Sequence, residues 1–155
     1  MKALVAYFSA ESGRTASVAK ALASAIGANL FEIKPEKPYS SPDLNYMNPL
    51  ARCNREHIAK KAVPFAGGVE AFEQYDTILI GFPIWYGGTP SVVRSFCKAH
   101  DWSGKKVAVF ATSGGSGIGK TAEKLQPFVS GAEIADAKLV NGFDESALKA
   151  WAEAL

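Results

Sequence analysis

The sequence predicts an α/β fold: a doubly wound, five-stranded parallel sheet with helices on both faces. Three observations predict it. Short apolar runs recur along the 155 residues and alternate with stretches of helical spacing, and such alternation implies right-handed βαβ crossovers. The runs are apolar without a two-residue period, as strands buried on both faces are. The turns richest in glycine and hydroxyl residues all follow strands, the edge where open parallel sheets bind ligands.

The elements justify this in order. Residues 3–8, Ala-Leu-Val-Ala-Tyr-Phe, form the first strand. Val18, Leu22 and Ile26 then make one stripe of a helix, with Ala19 and Ala25 beside it and Gly27 as its stop. Residues 29–34 read as a shorter second strand whose charges place it near an edge. From Pro35 to about Phe65 five prolines break every long period. A helix near 55–61 and a weak one over 69–74 are all that this stretch offers, and a loop of this length is functional or wraps a face. Residues 77–82, Thr-Ile-Leu-Ile-Gly-Phe, are the third strand. Thr89 can cap the next helix with Pro90 at its first position, and Val92, Val93, Phe96 and Cys97 give it a buried face. Residues 106–111 form the fourth strand. Ala122, Leu125 and Phe128 mark the following helix, and residues 137–140 the fifth strand. Asp144 caps a last helix that turns Leu148, Trp151 and Leu155 inward.

The bulk numbers set limits. A chain of this length makes one domain, 1–155, with a core that needs no disulfide or metal staple. Net charge is +2 and charged residues are 21% of the chain. The basic residues are scattered, with no stripe interleaved with aromatics, so nucleic acid is not an expected partner. Cys53 and Cys97 stand far apart and form no CxxC pair, which leaves dithiol and metal chemistry without support; Cys97 reads as an inert core thiol. The first apolar run is too short for a signal peptide or membrane span. A cytoplasmic protein with no membrane partner is expected.

Three loops carry the chemistry. After the first strand come Ser9, Ala10, Glu11, Ser12, Gly13, Arg14 and Thr15. Hydroxyls and a glycine at a helix start make an anion pocket suited to phosphate; the plain alternative is a turn with a serine N-cap. Glu11 should turn its carboxylate outward and offer only its N–H. After the third strand come Pro83, Ile84, Trp85, Tyr86, Gly87 and Gly88. After the fourth come Thr112, Ser113, Gly114, Gly115, Ser116 and Gly117. Residues 114–121, G-G-S-G-I-G-K-T, also match the phosphate-binding pattern of nucleoside triphosphatases, with Lys120 and Thr121 in the phosphate and magnesium roles. Too few residues follow for such a core, and no acidic residue ends a later strand. A response-regulator reading fails too, because Ser9 and Phe82-Pro83 stand where acidic residues are required.

Taken together, Tyr7-Phe8-Ser9 with Ser12-Gly13-Arg14-Thr15, Gly81-Phe82-Pro83-Ile84-Trp85-Tyr86-Gly87 and Thr112-Ser113-Gly114-Gly115-Ser116-Gly117 resemble the flavodoxin family. The resemblance spans nearly the whole chain. It implies a flavodoxin-like fold with strand order 2-1-3-4-5 and a non-covalent FMN at the strand C-termini. Ser9, Ser12, Gly13, Arg14 and Thr15 would then hold the phosphate. Pro83, Ile84, Trp85, Tyr86 and Gly87 would meet the isoalloxazine, with Trp85 and Tyr86 as flat surface. Thr112, Ser113, Gly114 and Gly115 would direct N–H groups at its pyrimidine carbonyls. No catalytic residue is implied. The function implied is electron transport by a flavoprotein carrier; the enzyme alternative is an NAD(P)H-dependent quinone or flavin reductase. Two departures stand out. The third loop has no aromatic for a second stacking ring, and the chain lacks the strong acidity by which many flavodoxins find basic partners. Trp102 and Trp151 are assigned to packing, and His57 and His100 to the surface.

Overall fold

The computed structural model describes residues 2–10, 13–142 and 144–155. Its main sheet has five parallel strands: β1 (Ala3–Tyr7), β2 (Asn29–Glu32), β5 (Thr77–Pro83), β6 (Lys106–Thr112) and β7 (Glu133–Leu139). Their order is β2-β1-β5-β6-β7, which is 2-1-3-4-5 among the sheet strands. A two-stranded ribbon, β3 (Lys34–Pro35) with β4 (Phe65–Ala66), stands apart.

Alternate strand residues face opposite sides, and both sides are dry. Val5, Tyr7, Leu79, Ala108 and Phe110 pack on α1 (Arg14–Ile26) and α5 (Glu145–Glu153). Leu4, Ala6, Ile78, Ile80, Val107 and Val109 pack on the other face, against α3 (Ser91–Lys98) and the 3-10 turn Gln126–Val129 that continues α4 (Thr121–Leu125). This double burial is why the strands show no polar alternation.

The boundaries depart from the sequence reading for local reasons. The second strand stops at Glu32 because Ile33 turns into the core, its N–H donating to Tyr7 O at 2.6 Å; Lys34 and Pro35 then join the ribbon. The fifth strand begins at Glu133, four residues earlier than expected. Its exposed Glu133 and Asp136 suit an edge strand and hide the apolar run. Helix α2 spans Arg52–Ile58, ahead of the predicted range, and residues 72–74 form only a 3-10 turn. Pro90 itself occupies the cap of α3, so Thr89 is not the cap. Gly27 ends α1 in the left-handed region (φ 66°), and Asp144 Oδ1 accepts the Ser146 N–H at 2.8 Å at the start of α5. Trp151 is half-buried and donates its ring N–H to Asp136. Trp102 is buried. No helix among the described residues is long and apolar enough to cross a membrane.

The prolyl segment 36–64 is ordered by one knot. Arg52 donates to Lys37 O, Pro38 O and Glu56 Oε2, at 2.8, 3.1 and 3.1 Å. Its guanidinium lies 3.9 Å from the Tyr39 ring centroid, and the Tyr39 hydroxyl donates to Glu56 Oε1 at 2.5 Å. Burial first, then that bond, pushes the Tyr39 phenol above its ordinary range. The segment is therefore held beside the strand C-termini, where Tyr39 meets Phe8 and Trp85.

Candidate functional site

The first loop leaves β1 under constraint. Phe8 N–H donates to Gly81 O at 2.9 Å, which places Ser9 at the lip of the sheet. Gly13 begins α1 with φ 71°, a left-handed conformation that favours glycine. It has no side chain to cap the helix; Ser9 Oγ instead accepts the Ala16 N–H at 3.2 Å. Ser9 thus performs the capping that the sequence reading set against phosphate binding, and the two roles share one hydroxyl. Among the described residues no acidic side chain stands in the first turn of α1, so the helix start presents its positive dipole end there. Glu11 and Ser12 lie outside the described residues.

The second loop is a tight reversal. Trp85 and Gly88 exchange backbone hydrogen bonds at 3.0 and 3.1 Å, with Tyr86 at φ 53° and Gly87 at φ 71°. Two positive φ angles define a type I′ turn, which favours Asn-Gly. Tyrosine in its first position costs about 1–2 kcal/mol. The Tyr86 ring lies parallel to His57 (centroids 3.8 Å apart, 3° between planes), and its hydroxyl donates to Asn54 Oδ1 at 2.6 Å. These contacts offset the strain. Trp85 is half-buried and meets Phe8 and Tyr39 edge-on, at 5.4 and 5.3 Å. Pro83 ends β5, and Ile84 N–H donates to Thr112 O at 2.8 Å, so the second and third loops leave the sheet side by side.

The third loop is tied to the first. Thr15 and Thr112, both buried, share a hydrogen bond of 2.8 Å between their hydroxyls. Asn141, just beyond β7, accepts the Ser113 N–H at 2.7 Å and donates to Ser113 Oγ at 3.1 Å. Arg14 crosses from α1 and donates to Ser113 O at 3.1 Å and Asn141 Oδ1 at 3.3 Å. Its guanidinium is a brace between loops, a role the sequence did not reveal. Gly114 and Gly115 are exposed at the rim.

The structure therefore brings Ser9, Gly13, Arg14, Thr15, Thr112, Ser113, Gly114 and Gly115 to one edge, with Pro83, Ile84 and Trp85 adjoining. Tyr86 is turned the other way, onto α2. The donor set suits a phosphate ester carrying a flat ring: hydroxyls and a helix start on one side, indole surface on the other. Added Cβ atoms at Gly13, Gly114, Gly115 and Gly117 would meet nothing within 4 Å, so the backbone at these loop positions faces open space. Among the described residues no three His, Cys, Asp or Glu side chains group to hold a metal.

The triphosphatase match does not survive the geometry. Thr121 is fully buried and its hydroxyl donates to Ile118 O, so it is not presented to a magnesium ion. Contributors missed by sequence reading are Tyr39, Asn54, His57 and Asn141. Only Asn141 carried a signal, an Asn-Gly directly after a strand on the ligand edge. His100, assigned to the surface, is half-buried among Phe65, Phe72 and Phe96 with Nδ1 2.8 Å from Phe96 O. Thr89 is 4% exposed, and its hydroxyl has no partner among the described residues, which leaves about 1–3 kcal/mol unrecovered.

A five-stranded doubly wound sheet with three ligand loops at its β1, β5 and β6 edge defines the class: an α/β protein built to seat a phosphate-bearing cofactor at the switch point of its sheet. A family model described as Flavodoxin matches residues 2–155. Among solved structures, a candidate flavoprotein from Bacteroides eggerthii DSM 20697 is 38% identical, with 99% of this chain and 96% of that chain covered and a TM-score of 0.91. One from Bacteroides uniformis ATCC 8492 is 37% identical, with 98% and 97% covered and a TM-score of 0.90. A flavoprotein in complex with FMN from Lactobacillus acidophilus NCFM shares the fold at 22% identity, with 97% and 98% covered and a TM-score of 0.72. No curated protein matches. The chain belongs to the flavodoxin family.

Proposed function

We propose that the chain binds FMN non-covalently at the C-terminal edge of its sheet and works as an electron carrier. The observation that carries the cofactor is the joined pair of loops at 9–15 and 112–115, braced by the Thr15–Thr112 and Arg14–Ser113 bonds beside the start of α1. Bound FMN supplies the redox chemistry; the protein binds, orients and shields it. Ser9, Ser12, Gly13 and the backbone at Thr15 seat the phosphate, the Thr15 hydroxyl being held by Thr112, and Arg14 holds the third loop in place. Trp85 gives flat surface worth ~0.5–1.5 kcal/mol beyond area burial for a well-stacked pair. Pro83, Ile84 and Gly87 shape the second loop, and the 112–115 backbone faces the ring's polar edge.

The carrier role is supported by the surface beside the second loop. Tyr46, Met47, Leu50 and Ile58 are 74–77% exposed on the segment that Asn54 ties to Tyr86. Exposed large apolar side chains on one segment give a transient protein partner surface to bury.

Titration of the purified protein with FMN, followed by absorbance and flavin fluorescence, tests the cofactor; unperturbed spectra at saturating FMN would refute it. Stopped-flow mixing of the loaded protein with NADPH tests the carrier role. A carrier leaves the flavin oxidised until a partner reductase is added, whereas rapid bleaching by NADPH alone would overturn it in favour of the reductase.

A further inference from the structure

On the face away from α1 lies a cleft of about 660 Å³, bounded by α2, the 85–88 turn, α3 and the end of α4. Its volume is that of a small-molecule site. Among the candidate cofactor residues it shares only Trp85 and Tyr86.

The charge of this cleft is one-sided. Lys60, Arg94, Lys98 and Lys124 line it, and the one lining carboxylate, Glu56, is already held by Arg52 and Tyr39. Among the described residues the ion pairs are Arg52–Glu56 and Lys149–Glu153, so none of the four cations has an acidic partner. In a chain of net charge +2 this concentration is local. Two of the cations are also held in place. Arg94, half-buried, donates to Thr89 O at 3.0 Å, and Lys124 donates to Gly87 O at 3.0 Å. Arg94 and Lys98 stand 5.9 and 5.2 Å from the centroid of the half-buried Phe128 ring, so positive charge and aromatic surface share one wall.

Thr89 is the independent sign. It lines the same cleft, is 96% buried (100% less the 4% exposed), and its hydroxyl bonds nothing among the described residues. A buried hydroxyl without a partner is an unmet hydrogen bond, and rotation of the Thr89 side chain at the cleft wall would present it to a ligand.

We propose that this cleft binds a nucleoside diphosphate group. The phosphates lie among Arg94, Lys98, Lys124 and Lys60, and the base lies on aromatic surface at Phe128. Guanidinium and ammonium donors match phosphate oxygens, and the Phe128 ring on the same wall gives a base a surface to stack on. The site is separate from the α1 phosphate seat and shares only the Trp85–Tyr86 wall with the proposed ring seat.

Isothermal titration with ADP, with NADPH and with inorganic pyrophosphate tests this, run on the protein with and without FMN. ADP should bind in the micromolar range and pyrophosphate at least tenfold more weakly. The double substitution R94Q/K98Q should weaken ADP at least tenfold; because Arg94 also holds Thr89 O, Lys98→Gln alone is the control and should weaken ADP in the same direction while leaving the thermal midpoint and FMN titration unchanged. Lys60→Gln is the second variant and should weaken ADP in the same direction. Thr89→Val should raise the midpoint of the ligand-free protein and weaken ADP. Comparable affinity for ADP and NADPH identifies the shared diphosphate as the determinant; flavin bleaching by NADPH would separately report electron donation. ADP binding weaker than millimolar, pyrophosphate as tight as ADP, or ADP affinity unmoved by R94Q/K98Q would overturn the proposal.

Discussion

Gly81→Ala tests how the sheet sets the site. Gly81 lies in the central strand β5, paired with Tyr7 on one side and Phe110 on the other. An added Cβ would stand 2.1 Å from two ring carbons of Phe110. Ordinary contact begins at 3.4 Å, so the ring or the backbone must give by about 1.3 Å (3.4 − 2.1). Phe110 is wholly buried under α1 and α5, and close-packed interiors yield poorly. Overpacking of this kind costs ~1–3 kcal/mol, occasionally more; the gain from a less flexible unfolded chain returns ~0.4–1 kcal/mol. A net loss of about 2 kcal/mol is expected, which for a chain of this size lowers the midpoint by roughly 4–8 °C. The damage reaches the first loop, because Gly81 O accepts the Phe8 N–H that places Ser9; FMN affinity should fall with stability. Urea unfolding followed by far-UV circular dichroism gives the first quantity and fluorescence titration the second. The double variant G81A/F110L should be less destabilised than the sum of the single changes, since the smaller side chain vacates the space. Wild-type stability for G81A, or strict additivity with F110L, would refute the reasoning.

Thr15→Val leaves the buried Thr112 hydroxyl unpaired and should cost about 1–3 kcal/mol. Thr112→Val added to it should recover part of that stability in urea unfolding without restoring FMN affinity. Trp85→Ala should weaken FMN about tenfold or more by loss of stacking and buried area; unchanged affinity in a fluorescence titration removes Trp85 from the site. Burial pushes the Cys97 thiol up to about 12 from an ordinary 9.0. The native state therefore holds this proton more tightly than the unfolded chain does. The associated stability is complete below pH 9 and is lost as pH rises towards 12, so Cys97→Ala should flatten the alkaline limb of stability against pH.

The sheet was legible because its strands are buried on both faces: residues 3–8, 77–82 and 106–111 admit no other regular reading of that length. The edge strand β7 was cut short because Glu133 and Asp136 break its apolar run, yet an edge tolerates them. The three loops were legible through glycine and hydroxyl content. The direction of each side chain was not. Nothing local tells Arg14 to reach for Ser113 and Asn141, 99 and 127 residues away, and nothing in Tyr86 tells it to leave Trp85 and turn to His57. The stretch 36–64 resisted assignment for a related reason. Its order comes from the Arg52–Glu56–Tyr39 knot and from docking on the turn, interactions that have no period.

That docking gives the Trp85–Gly88 turn its shape. A type I′ turn with tyrosine in its first left-handed position is strained by itself, and an asparagine there would remove much of the strain. Tyrosine instead places a ring where α2 can grip it, through His57 on its face and Asn54 on its hydroxyl. Asn54 also donates to Tyr46 O and Asn48 O at 2.9 and 2.8 Å, so one side chain couples the turn to the exposed apolar residues beside it. On the opposite side Lys124 holds Gly87 O, and Arg94 holds Thr89 O. The turn is thus fastened from the apolar surface on one side and from the cationic cleft on the other, while Trp85 within it packs on Phe8 and Tyr39. A ligand or partner that engages either surface bears on the backbone of this turn, and through it on whatever rests against Trp85.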